Sequence, residues 1–74
     1  MDLIGNVGTS APRVTLKTFS NDLTNFSAHI ELGDRLRPYI VYFEEDGYYC
    51  ISKGYKILTE ASEVAEKYIQ TGEL

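Results

Sequence analysis

Seventy-four residues, 43% hydrophobic and 24% charged, make one small domain; there is no room for a second core, and the composition is not that of a disordered chain. A domain of this size buries only about 60% of the surface its unfolded chain exposes, so little core can be spared to enclose a deep pocket. A formal net charge of −4 argues against binding to a phosphate backbone, which draws on Lys and Arg, and fits a partner with a basic surface or simple solubility.

The chain opens on MDLIGNVGTSAP, residues 1–12, which shows no hydrophobic period. It reads as a flexible arm ahead of one domain over residues 13–74, with Leu3 and Ile4 able to dock on the body. The arm lacks the basic and apolar regions of a signal peptide, and no apolar run nears the ~18 residues that cross a bilayer. The single cysteine, Cys50, has no partner for an internal disulfide. A soluble cytoplasmic protein without membrane contact is the expectation.

RVTLKTF, residues 13–19, alternates Val14, Leu16 and Thr18 against Arg13, Thr15 and Lys17, the pattern of a half-buried strand. Residues 20–32 carry two competing periods. Ser20 could cap a helix with Leu23, Phe26 and Ile30 on one stripe, whereas Phe26, Ala28, Ile30 and Leu32 alternate with Ser27, His29 and Glu31. Both readings stay open, and the four alternations favour strand with residues 20–25 as a loop. LGDRLRP then turns the chain: Gly33 supplies backbone freedom and Pro38 holds Arg37 out of helical geometry.

YIVYFEEDGYYCI, residues 39–51, holds four of the six tyrosines. Asp46-Gly47 between apolar alternations predicts a hairpin with a type I′ turn. That loop pairs Glu45 with Tyr48, Phe43 with Cys50 and Tyr42 with Ile51. One face then carries Tyr39, Val41, Phe43, Tyr48 and Cys50; the other carries Ile40, Tyr42, Tyr49 and Ile51, with Glu44 at its tip. A second turn at Lys53-Gly54 is expected to return YKIL as a short strand. Thr59 then caps a helix with Ala61, Val64, Ala65, Tyr68 and Ile69 on one stripe. Glu60 and Glu63 suit its start, Glu63 and Lys67 can pair, and Gly72 ends it.

The expected fold is α+β: a small antiparallel meander of three to four strands with one C-terminal helix packed on one face. The small stripe Ala61, Val64 and Ala65 fits over Phe43, Val41 and Cys50. That leaves Ile40, Tyr42, Tyr49 and Ile51 outward.

Chemistry-bearing patterns are sparse. One His and one Cys exclude a zinc site within a single chain, and Glu44-Glu45-Asp46 lacks the alternating oxygen ligands of a calcium loop, so neither metal nor cofactor is expected. A His29–Cys50 pair has no orienting third group, Cys50 suits a buried apolar site, and no phosphate-loop glycine pattern occurs. No catalysis is expected. The tyrosines suit base stacking, but the net charge and the acidic tip weigh against a nucleic-acid platform.

RPYIVYFEEDGYYCISKGYKILTEA, residues 37–61, resembles the core of the ParB/sulfiredoxin-like family, in which a strand near a proline, a D-G turn and a second strand lead to a glycine-basic phosphate motif at a helix start. The resemblance implies Gly54 as the motif glycine, Lys56 as its first basic residue, and binding of a nucleotide or nucleic acid. Ile57 stands where a second arginine belongs, and Tyr55 replaces the usual acid or histidine.

The residues themselves point to a non-catalytic protein-binding module. Ile40, Tyr42, Tyr49 and Ile51, rimmed by Glu44, Glu45 and Asp46, suit another protein with a basic surface, or a second copy of the chain in a homodimer. By analogy of size and charge, phage-encoded inhibitors of host enzymes or defence nucleases are domains of this kind.

Overall fold

Strong alternation in four segments yields four strands: β1 (Thr15–Asn21), β2 (Phe26–Leu32), β3 (Tyr39–Glu45) and β4 (Tyr48–Tyr55). They form one antiparallel sheet in chain order, and one helix, α1 (Leu58–Thr71), packs on one face. The protein is thus α+β. A computed structural model describes residues 14–74, so the expected arm over 1–12, and Arg13 after it, lie outside the described residues.

Residues 26–32 are strand, as their alternation favours. Ala28 and Ile30 are buried on the helix side, while Leu23, which a helical stripe would have buried, is 95% exposed in the turn before β2. Burial on one face decided the conflict between the two periods.

The face expected for β1 is reversed. Thr15 pairs with Glu31 and Lys17 with Ile30, so Leu16 is an extra residue in a β-bulge. The extra residue carries Lys17 and Phe19 to the helix side, where Phe19 packs against the core and Lys17 Nζ lies 5.8 Å from its ring centre. Val14 and Leu16 remain exposed, and Thr18 faces outward opposite His29. Anchoring the large Phe19 ring outweighs covering Val14 and Leu16.

Between β2 and β3 the Gly33 N–H donates to the Pro38 carbonyl (2.7 Å), and the Asp34 carboxylate accepts the N–H groups of Leu36 (3.0 Å) and Arg37 (2.8 Å). The Arg37 N–H bond in particular holds the Asp34 carboxyl below its ordinary range. Gly33 has no positive φ; a side chain there would collide with the Arg37 carbonyl oxygen. Close approach, rather than backbone freedom, requires the glycine.

The β3–β4 hairpin turns at Asp46 (φ 52) and Gly47 (φ 82), as the type I′ signal predicts, and Glu45 pairs with Tyr48. The next pairs differ from expectation. Glu44 faces Tyr49 and Phe43 faces Ile51, so Cys50 is a bulge residue, exposed rather than buried against Phe43. Tyr42 faces Ser52 instead of Ile51. The turn sets only the first pair. The inserted residue then brings Tyr55 opposite Tyr39, where both pack against the core, in place of Gly54.

β4 runs on through Lys53-Gly54 to Tyr55, so the expected turn and extra YKIL strand do not form. Gly54 serves a different need: a Cβ there would meet the Arg37 side-chain carbons at 2.5–2.8 Å. The helix N-cap is Ile57 (φ −125, ψ 127), with no side-chain cap bond, and Thr59 sits inside the first turn rather than capping it. Gly72 ends the helix as expected, at φ 74 with its N–H on the Tyr68 carbonyl. Lys67 pairs with Glu73 at 3.3 Å, an exposed contact of small worth.

The stripe of α1 buries Ala61, Ala65 and Tyr68, with Val64 and Ile69 packed at its margins. Small residues let the helix approach Ile30, Val41 and Phe43, all at 0% exposure. Tyr68 fills the remaining space. Its ring lies 5.1 Å from Phe26 and 4.9 Å from Phe43, and its hydroxyl donates to the Glu44 carbonyl (3.0 Å). Among the described residues no helix is long and apolar enough to cross a membrane.

Urea unfolding checks this core and its register. Phe43→Ala is expected to cost about 3–5 kcal/mol, and the exposed Cys50→Ala less than about 1 kcal/mol. A comparable cost at both positions would contradict the bulge. Ile57→Ser, which places a hydroxyl at an uncapped N-cap, is expected to raise stability by about 0.5–1 kcal/mol in the same assay.

Candidate functional site

The face of the sheet away from α1 is built in three cross-strand rows. Nearest the hairpin turn lie Ser20, Ser27, Glu44 and Tyr49; the middle row is Thr18, His29, Tyr42 and Ser52; the third is Thr15, Glu31, Ile40 and Gly54. Alternation places these side chains outward because their neighbours Phe19, Ala28, Ile30, Val41 and Phe43 face the helix.

Polar contacts order the face. His29 Nε2 and Glu31 Oε2 lie 2.8 Å apart, and the His29 ring stacks on Tyr42 with centroids 5.1 Å apart and planes at 15°. Glu31 is 6% exposed, so its carboxylate needs such a partner to offset desolvation. Ser27 Oγ donates to Glu44 Oε1 (3.1 Å), and Tyr49 OH lies 3.4 Å from Ser52 Oγ. Tyr42 and Tyr49 sit 6.2 Å apart at 52°. His29, Glu31, Tyr42, Glu44 and Tyr49 together line an open groove of about 390 Å³. A second depression, of about 400 Å³, lies at the turn end among short polar side chains and backbone, with Phe26 its one aromatic.

The structure divides the residues singled out in the sequence. Ile40, Tyr42, Glu44 and Tyr49 share the open face. Ile51 does not: the Cys50 bulge turns it to the helix side opposite Phe43, 39% exposed. Glu45 also lies on the helix side, between Phe26 and Tyr48, and Asp46 is in the turn with its N–H on the Asn25 carbonyl (2.9 Å). The acidic rim is therefore reduced to Glu44. Gly54 lies within β4 under the Arg37 side chain, and Lys56 is exposed in the two-residue link to α1.

His29, Glu31 and Ser27 belong to the groove or its border although sequence reasoning assigned them no role. Their signal was the polar side of the β2 alternation. His29 is on the open face and Cys50 at the edge-strand bulge, so the pair weighed as a nucleophile and base is not assembled. Among the described residues no group of three or more His, Cys, Asp or Glu is placed to hold a metal ion. No protein-family model, curated protein or solved structure matches this chain.

Tyr68 ties the core to this site through the Glu44 carbonyl. Burial first, then the neighbouring Cys50 thiol and the Glu45 and Glu44 carboxylates, push its hydroxyl up to about 12. The unfolded chain, whose tyrosines ionise near 10, gives up this proton first. Tyr68's contribution is thus intact below about pH 10 and declines as pH rises towards about 12. Tyr68→Phe is expected to lose about 1 kcal/mol at neutral pH and to show a shallower alkaline decline, read from urea unfolding at stepped pH. An equal alkaline slope in both proteins would contradict the assignment.

Proposed function

We propose that this chain is a non-catalytic protein-binding module whose open sheet face docks on a partner with a basic surface. One observation carries the reading: Tyr42, Tyr49, Ile40 and Glu44 lie together on a face that α1 leaves uncovered. Tyrosine buries large area yet keeps a hydroxyl for a wet rim, which is why it anchors interfaces. The net charge of −4 supports approach to a basic partner. Enzymes that act on nucleic acid carry such surfaces where phosphates bind. Inhibition of an enzyme of this class, including a phage protein acting on a host defence nuclease, is the biological role the reading suggests.

The test is affinity capture with the wild type, Tyr49→Ala and Glu44→Lys. Tyr49 is 60% exposed, so its truncation is expected to leave unfolding unchanged while capture of the partner is lost. Raised salt is expected to weaken capture by the wild type. Equal capture by all three proteins sinks the reading. A dimer in sedimentation that Tyr49→Ala dissolves would assign the face to a second copy. Nucleotide binding weakened by Lys56→Ala would instead favour the site that residues 37–61 imply by resemblance.

A further inference from the structure

We propose that the groove on the open face takes an arginine side chain of the partner, its guanidinium stacked on Tyr49 and forked onto Glu44. This rests on the docking reading above and names the chemistry of its anchor. The groove pairs two carboxylates with three aromatic rings, and neither Lys nor Arg is among its lining residues. Lys17 and Lys53 stand on the helix side, opposite Ile30 and Val41, and Arg37 lies against Gly54 at the far end of the face. The groove is therefore complementary to a cation.

The two carboxylates play different parts. Glu31 is buried and held by His29, so it contributes field from the floor. Glu44 is half-buried at the groove's side; its Oε1 accepts from Ser27, and among the described residues Oε2 has no donor. An oriented carboxylate with open acceptor capacity beside an exposed ring matches a planar, five-donor cation. The His29 stack steadies Tyr42, and Tyr49 leans against Tyr42 with most of its own surface in water.

The shape favours guanidinium over ammonium. A guanidinium is weakly hydrated, stacks on an aromatic face and forks onto a carboxylate at once. An ammonium is a strongly hydrated point charge, and this open groove does not strip its water.

The experiment is an NMR titration of the isotope-labelled protein with N-acetyl-arginine amide, N-acetyl-lysine amide and N-acetyl-citrulline amide. The arginine probe is expected to shift the His29, Tyr42, Glu44 and Tyr49 signals, the lysine probe to bind several-fold more weakly, and the uncharged citrulline probe to give no shift. Glu44→Gln, its fold verified by an otherwise unchanged spectrum, is expected to weaken arginine binding about tenfold. Equal lysine binding overturns the guanidinium fit, and full arginine binding by Glu44→Gln overturns the site. Binding that appears only in Arg13→Ala would assign the groove to the chain's own arginine and overturn a partner's claim to it. If no arginine shift occurs while Tyr49→Ala still abolishes capture, this inference fails and the docking reading stands; if Tyr49→Ala captures normally, both fail.

Discussion

A four-stranded sheet has two faces, and the described residues supply one helix to cover them. Everything else in this fold answers to that imbalance. Ala61 and Ala65 let α1 sit close enough to exclude water from Ile30, Val41 and Phe43, which concentrates the limited apolar surface on one side. Tyr68 completes that side by wedging between Phe26 and Phe43 and satisfying its hydroxyl on Glu44. The opposite face must then be stable in water. It is built accordingly, from small hydroxyl side chains around Tyr42 and Tyr49, with Glu31 paired to His29 rather than left bare.

Two bulges, at Leu16 and Cys50, lie in the two edge strands, and each redistributes side chains between the faces. A bulge bends and twists an edge, which discourages unwanted pairing with another strand. In β1 the insertion brings Phe19 to the helix. In β4 it keeps Tyr49 outward but exchanges Ile51 for Ser52 in the row beside Tyr42. The open face is thereby less greasy and more polar than unbroken alternation would make it. A partner meeting it encounters aromatic rings and carboxylates in close company, a surface suited to recognising cationic groups.

The same core that holds the sheet also places the groove. Glu44 stands beside the bulge with its carbonyl under Tyr68 and its carboxylate on the open side, so a helix residue and a surface acid share one stretch of backbone. Changes to the Tyr68 hydroxyl are transmitted to the groove through that strand without crossing the sheet.

Local patterns made much of this legible. The Asp46-Gly47 turn, the β2 alternation, the α1 stripe and Gly72 each write their geometry into neighbouring residues, so fold class and strand order follow from the sequence. Ile40, Tyr42, Glu44 and Tyr49 were recognisable as one face because the type I′ turn sets the first pairs of its hairpin. The bulges were not legible: no local residue marks Leu16 or Cys50, and the insertion is selected by whether Phe19 and Tyr55 reach the core many residues away. The role of His29 and Glu31 was hidden for the same reason, since their partners lie across strands. The sequence by itself determined an antiparallel meander with one amphipathic helix, because period and turn chemistry are local. Only the tertiary structure decided that Ile51 leaves the open face and that His29, Glu31, Tyr42, Glu44 and Tyr49 meet in one groove, because strand register is set by long-range burial.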